Sequence, residues 1–299
     1  MTSTTRVAGV ELGGTKAIAL LWQDGEVLDR LTVPTTTPAE TLDQLRARLD
    51  QWHAEQPLEA LGIATFGPVR LDPAAPDHGA ILATPKPAWA GAPVLATLHD
   101  GLPCPVAIDT DVNAAALAEY RWGAGQGCSS LVYLTIGTGL GGGVLVDGRP
   151  VHGRLHPEIG HIPTRRAPGD AFAGNCPFHR DCIEGLVSGP ALQRRFGAPP
   201  ADVPADDPRW DHVAHDLAHL LVTLIHSLAP QRILVGGGVG LGAPHLLGRA
   251  IALLPAILGG YYPDVDLAAL TAMIIPPGLG DNAGPMGAIA LGQMAMQPS

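Results

Sequence analysis

His161, Cys176, His179 and Cys182 constrain this chain more than any other set of residues. Three of them fall within CPFHRDC, and His161 closes EIGH just upstream. Cys-x2-His-x2-Cys with an outlying His offers two thiolates and two imidazoles, the donor set of a closed tetrahedral zinc shell. Four protein ligands leave no open coordination position, so a zinc ion here holds the loop and does no chemistry. Glu158 and Glu184 flank the ligands, so a metal that clamps this segment also positions two carboxylates. His161 can serve twice. With one ring nitrogen on the metal, the other is fixed as an N–H donor for a substrate hydroxyl.

Around that loop the apolar pattern alternates between two periods. Strands are expected at 6–12, 17–22, 27–33, 60–65, 105–109, 131–136, 143–147, 232–236 and 272–275. Helices are expected at 41–55, where Leu42, Leu45, Leu49 and Trp52 recur at helical spacing, and at 112–122, 210–229, 243–258 and from 283. Segments 67–93 and 148–183 read as loop. The alternation of strands with helices places the chain in the α/β class. The net charge of −10 disfavours nucleic acid or an anionic membrane as partner. No apolar run reaches transmembrane length and the first residues show no signal-peptide core. Four cysteines in 299 residues do not make a disulfide framework, which fits a reducing, cytoplasmic setting and thiols free for metal.

Three glycine-rich segments carry further chemistry. Gly13–Gly14–Thr15–Lys16 sits between two strands. It reads as a hairpin turn, or as a phosphate loop in which small residues admit phosphate to the backbone N–H groups and Lys16 adds charge. Gly137–Thr138–Gly139 is a second such turn. It leads into another strand, where a dinucleotide-binding loop would lead into a helix, so that fingerprint is rejected. Two glycine-rich hairpin turns favour a nucleoside triphosphate. Gly236–Gly237–Gly238 follows a strand, and is read as close strand-to-helix packing or as a flat surface for a purine or ribose. Asp111 lies where a strand ends and a helix begins. It is read as a helix cap or as a general base that takes a proton from a substrate hydroxyl, and the two roles can coexist. Asp109 points to the other side of the strand and reads as structural. His212, His215 and His219 share a helix face with no Cys or acid to complete a metal shell.

Taken together and in this order, TFGP, TPKPAW, DTDVNAAALAEYRWGAGQG, YLTIGTGLGGG, HPEIGH and DAFAGNCPFHRDCIEGLVSGPA resemble the ROK family of sugar kinases and repressors, and within it the bacterial fructokinases. The resemblance spans nearly the whole chain. It implies the actin-like ATPase (ribonuclease H-like) fold, with two α/β lobes around a central cleft: 1–112 plus about 285–299, and 113–284 carrying the zinc loop at about 156–184. It implies transfer of the ATP γ-phosphoryl group to a sugar hydroxyl, with Mg2+ accompanying ATP, structural Zn2+, and a homodimer. Asp111 matches the family's general base. Glu158, His161 and Glu184 match its sugar contacts, with Gly67 and Pro68 on the sugar side. Gly13, Gly14, Thr15 and Lys16 match the first phosphate loop, Gly137, Thr138 and Gly139 the second, and Ser188, Pro190 and Gly236–Gly238 the adenosine region.

Two positions depart from the family pattern. Gly91 stands where an Asn often touches the sugar, and Arg70 where fructokinases often have an acid. Both bear on which hexose is used: fructose, or mannose, glucose or an amino sugar. A sugar-responsive repressor is the non-enzymatic alternative, but only a few residues precede the first phosphate-loop strand, too few for a helix-turn-helix. A zinc hydrolase is disfavoured by the complete four-ligand set.

Overall fold

The computed structural model describes residues 5–297. In chain order its elements are β1 (Arg6–Leu12), β2 (Lys16–Gln23), β3 (Glu26–Pro34), α1 (Pro38–Glu55), β4 (Ala60–Thr65), α2 (Val94–His99), β5 (Val106–Thr110), α3 (Asp111–Trp122), β6 (Ser130–Ile136), β7 (Leu140–Val146), β8 (Arg149–Pro150), α4 (Ile183–Val187), α5 (Gly189–Phe196), α6 (Arg209–Leu228), β9 (Arg232–Gly236), α7 (Gly237–Gly242), α8 (Pro244–Leu258), α9 (Leu267–Met273), β10 (Ile274–Ile275) and α10 (Ala283–Ala295). They group into two compact units. The first holds the described residues up to Gln126, Arg149–His156 and the chain from Leu279 onward; the second holds Gly127–Gly148 and Pro157–Gly278. The expected segments 1–112 and 285–299 reach into residues 1–4 and 298–299, which lie outside the described residues.

The first unit is built on a sheet of order β3-β2-β1-β4-β5. β1, β2 and β3 form an antiparallel meander, while β1, β4 and β5 run parallel. Alternate residues serve opposite faces. Ala8, Val10 and Leu12 join Leu45, Leu49 and Trp52 of α1 in one core, whereas Val7, Ile18 and Leu20 join Ile289 of α10 in another. Both faces are thus covered, which is why β4 is buried along its whole length. Helix α1 starts where Thr37 accepts the Glu40 N–H and Pro38 takes the first turn.

Helix α10 packs backbone to backbone against β4. A Cβ added at Gly62 would lie 1.8 Å from the Ala288 carbonyl oxygen, so only glycine permits this approach. Gly62→Ala is expected to destabilise the protein by about 1–3 kcal/mol or more, because neither a strand nor a helix backbone can yield alone. A thermal-melt comparison checks it; an unchanged Tm would refute the close approach.

The second unit carries a sheet containing β10-β9-β6-β7, with β6/β7 an antiparallel hairpin and β6/β9 and β9/β10 parallel. Several local expectations are corrected here. β7 begins at Leu140, directly after the turn, and not at 143; Gly141–Gly143 have low strand propensity, but pairing with β6 overrides it. Residues 267–273 are helical, leaving only Ile274–Ile275 as strand. Helices α2, α4 and α5 are too short, or too rich in Gly and Pro, to show a period in the sequence.

Candidate active site

In the first unit, the carboxyl ends of parallel strands β1, β4 and β5 lie along one edge, with Leu12 beside Thr65 and Thr65 beside Thr110. Such edges are where open parallel sheets bind ligands. Gly13–Lys16 follows β1, Gly67–Pro68 follows β4 and Asp111 follows β5, so these sequence-predicted residues are brought to one edge. The first turn is tied at its base. Gly13 N–H donates to the Lys16 carbonyl at 3.0 Å, and Thr35 donates through its hydroxyl to Gly13 (2.8 Å) and through its N–H to Thr15 (3.0 Å). Gly14, Thr15 and Lys16 themselves are exposed.

Lys86 is a residue that sequence reasoning passed over. Its ammonium donates to the Gly14 carbonyl and lies 5.6 Å from the centre of the Phe66 ring, adding a second cation to the turn. TPKPAW has no periodicity that would single it out. Buried Trp89 folds that loop back, its ring 5.1 Å from Phe66 and its indole N–H donating to the Thr36 carbonyl at 2.8 Å.

Thr110, not Asp111, caps α3: its hydroxyl accepts the Asn113 N–H at 3.2 Å. Asp111 is the first helical residue, and its Oδ1 accepts the Val112 N–H at 2.9 Å. Asp109 is buried and structural, as its position on the strand suggested. It accepts from the Thr110 N–H (2.7 Å) and the Asn113 amide (2.8 Å), and its second oxygen lies 2.8 Å from His152 Nε2. The β5–α3 junction that carries Asp111 is therefore anchored from the side.

Burial, followed by repulsion from Glu11, lifts the Asp111 carboxyl to about 7. Glu11, at the end of β1, is also lifted to about 7, again chiefly by burial and opposed by Lys16 and Arg30. A Cβ at Gly284 would lie 2.0 Å from Glu11 Oε1, so the first turn of α10 closes over that carboxyl. Two carboxyls that repel each other titrate as a pair. The kcat/KM profile is expected to rise on an acid limb near pH 7, and Glu11→Gln to move that limb to lower pH, because removing the like charge eases ionisation of Asp111. A limb that stays in place in Glu11→Gln would show that the two groups do not interact.

The two family-departing positions find local explanations. Arg70 pairs with Asp77 at 3.3 Å, on the same loop. Gly91 adopts φ +80°, with its N–H on the Ile81 carbonyl at 2.8 Å. Asn is among the few other residues that tolerate this region, so the turn admits either residue.

In the second unit, β6 and β9 run parallel with Thr135 beside Gly236, which brings two glycine-rich loops to one edge. A Cβ at Gly137 would lie 3.8 Å from Gly238 N, and one at Gly237 would strike Ile136. Gly189 N–H donates to the Gly137 carbonyl at 2.7 Å, placing Ser188–Pro190 against the same turn; Ser188 itself is buried. Gly137, Thr138, Gly139, Ser188, Pro190 and Gly236–Gly238 thus gather locally. Glu184, on the first turn of α4, accepts the Leu140 N–H at 3.0 Å. Glu158 precedes a 3-10 turn, Ile159–His161, in which its carbonyl accepts the His161 N–H at 3.0 Å. A Cβ at Gly160 would lie 3.8 Å from the Glu184 Cβ, so this turn lies beside Glu184.

His161, Cys176, His179 and Cys182 converge, with donor atoms all within 4.8 Å of one another. Cys176 Sγ is 3.9 Å from both His161 Nδ1 and His179 Nδ1, and Cys182 Sγ is 3.5 Å from His161 Nδ1. Tetrahedral zinc with ordinary Zn–S and Zn–N bonds has sulfur-to-nitrogen edges of about 3.6 Å, so the four donors fit the ion. His161 turns Nδ1 to both sulfurs, which leaves Nε2 as the nitrogen for a second partner. His212, His215 and His219 belong to no metal-binding group among the described residues. No helix among the described residues is long and apolar enough to cross a membrane.

The ROK family model matches residues 7–295. This chain belongs to the ROK family. It is 43% identical to a fructokinase of Zymomonas mobilis, covering 94% of each chain. It is 37% identical to a fructokinase of Pediococcus pentosaceus, covering 97% of this chain and 99% of that one. Among solved structures, a ROK glucokinase from Streptomyces griseus in complex with glucose and AMPPNP superposes with TM-score 0.74 at 26% identity, over 97% of this chain and 99% of the other. The fold of this ROK protein is the actin-like ATPase fold, and the protein is a sugar phosphotransferase.

Proposed function

We propose that this ROK kinase transfers the γ-phosphoryl group of ATP to the 6-hydroxyl of D-fructose. The observation that carries the reading is Asp111: a carboxyl at the carboxyl edge of β5, on the same sheet edge as the Gly13–Lys16 turn, with its proton affinity raised to about 7. A base of that strength suits a sugar hydroxyl at neutral pH. Fructose is the acceptor that the near-full-length relatives suggest.

In this reading Asp111 takes the hydroxyl proton as the sugar oxygen bonds to the γ-phosphorus and the bond to the β-phosphate oxygen breaks, so ADP leaves. Phosphoryl transfer needs alignment and charge neutralisation more than covalent help. The Gly13–Lys16 and Gly137–Gly139 turns hold phosphate oxygens through backbone N–H groups, and Lys16 supplies positive charge. Gly236–Gly238, Ser188 and Pro190 meet the adenosine. Mg2+ enters with ATP as part of the substrate. Glu158 and Glu184 accept from the sugar hydroxyls and His161 Nε2–H donates to one, with Gly67 and Pro68 beside them. His161, Cys176, His179 and Cys182 would hold Zn2+, whose contribution when bound is to fix the segment that carries these contacts. The reading also includes a homodimer and a cytoplasmic setting.

A second reading, another hexose, is favoured by Gly91, which supplies no side-chain contact, and by the S. griseus glucokinase likeness. A coupled ADP-release assay with Mg-ATP and a hexose panel separates the two. The expected result is the highest kcat/KM with fructose. A clear preference for glucose, mannose or an amino sugar would establish the second reading, and no release with any sugar would overturn both.

A further inference from the structure

Glu184 is tied to the second glycine turn more closely than a sugar contact requires. Its Oε2 accepts the N–H of Leu140, the first residue after the turn, at 3.0 Å. A Cβ at Gly139 would lie 2.7 Å from the same oxygen, so the carboxylate rests directly on the last residue of the turn. The other end is held by the same stretch of chain. Gly189 N–H donates to the Gly137 carbonyl at 2.7 Å, and Ser188 N–H donates to the Glu184 carbonyl at 3.1 Å, joining the two grips through one turn of backbone. Within the turn, Gly137 N–H donates to the Gly139 carbonyl at 2.9 Å. The Ile159–His161 turn abuts the same place, since a Cβ at Gly160 would lie 1.9 Å from the Leu140 carbonyl oxygen. A carboxylate can accept through both oxygens, so with Oε2 on Leu140, Oε1 can receive a hydroxyl.

We propose that Glu184 is a positioning residue for the nucleotide as well as a sugar contact: its carboxylate braces the Gly137–Gly139 turn, so that a hydroxyl of the sugar on Oε1 and a triphosphate on the turn strengthen each other's binding. The sugar half of this statement rests on the function proposed above. The bracing half rests on the hydrogen bonds alone. A hydroxyl on Oε1 restrains the carboxylate and through it Leu140 and Gly139, whose order the triphosphate otherwise has to impose itself. The coupling is reciprocal by thermodynamic linkage.

The test is titration calorimetry of the intact, zinc-loaded protein with a non-hydrolysable ATP analogue and Mg2+, with and without saturating D-fructose. Wild-type protein is expected to bind the analogue roughly 5- to 100-fold more tightly with fructose. Without fructose, Glu184→Ala is expected to weaken the analogue roughly tenfold, the effect of losing a hydrogen bond to a charged acceptor. Glu184→Gln keeps an oxygen for the Leu140 N–H, and is expected to retain analogue affinity while losing fructose affinity. Gly139→Ala displaces the carboxylate without removing it, and is expected to weaken fructose and to reduce the coupling. Unchanged analogue affinity in Glu184→Ala, or full coupling in Gly139→Ala, would overturn the bracing role. If Glu184→Ala instead leaves fructose affinity intact while weakening the analogue, bracing stands and the sugar contact falls.

Discussion

Asp111→Asn is expected to lower kcat by about 10²–10⁴, the usual contribution of a general base, while leaving the fold intact. The substitution preserves the shape of the side chain and an oxygen for the Val112 N–H. Stability moves the other way. The folded protein raises the Asp111 carboxyl from 3.8 to about 7, so between these values the native state binds its proton more tightly than the unfolded chain. Native stability therefore falls as pH rises through that window, and above about pH 7 an ionised, half-buried carboxylate remains as a cost. Asn carries no such charge. At pH 8 the variant is expected to melt a few degrees above wild type, and near pH 4 the difference is expected to shrink towards zero. Steady-state kinetics and thermal melts across that range check both parts. Near-normal turnover would remove Asp111 from the base role. A variant less stable than wild type at pH 8 would contradict this account of the carboxyl.

Removing metal is expected to have the next largest effect. Metal analysis should give about one zinc per chain, and chelation should release it. The four donors span Ile159–His161 at one end and the start of α4 at the other, so their loss frees the stretches that carry Glu158, His161 and Glu184. The apoprotein is expected to lose at least 10- to 100-fold in kcat/KM for the sugar and to melt at lower temperature. Amide exchange should quicken across residues 161–184, with little change in the β1, β4 and β5 amides. Alanine at Cys176 or Cys182 should reproduce the loss. Metal-free protein with full activity would end the structural-zinc reading.

Much of this was legible in the chain because its causes are local. The three donors of CPFHRDC are close in sequence, and thiolates and imidazoles have few other reasons to be spaced that way; the structure brings them together with His161. Gly13–Lys16 and Gly137–Gly139 lie between strand patterns, and both are hairpin turns. The apolar spacing of Leu42, Leu45, Leu49 and Trp52 marks the buried face of α1. Short elements failed for the same reason in reverse. Helix α4 has five residues, IEGLV, too few to display a period, and β7 continues from Leu140 into Gly141–Gly143, whose strand conformation is imposed by β6.

What the sequence by itself determined was the chemical inventory and the local shapes: four His and Cys donors that could hold a metal, glycine turns after strands, an acid at a strand end, and an α/β alternation. Tertiary structure alone decided how those parts act on one another. Lys86 reaches the Gly14 carbonyl, Gly284 closes over Glu11, Glu11 helps to raise Asp111, and Glu184 takes the Leu140 N–H. Each joins residues far apart in the chain. Periodicity records which face of an element is apolar, but not which distant backbone it will meet. The burial that lifts a carboxyl from its ordinary value likewise exists only once those distant elements have packed around it.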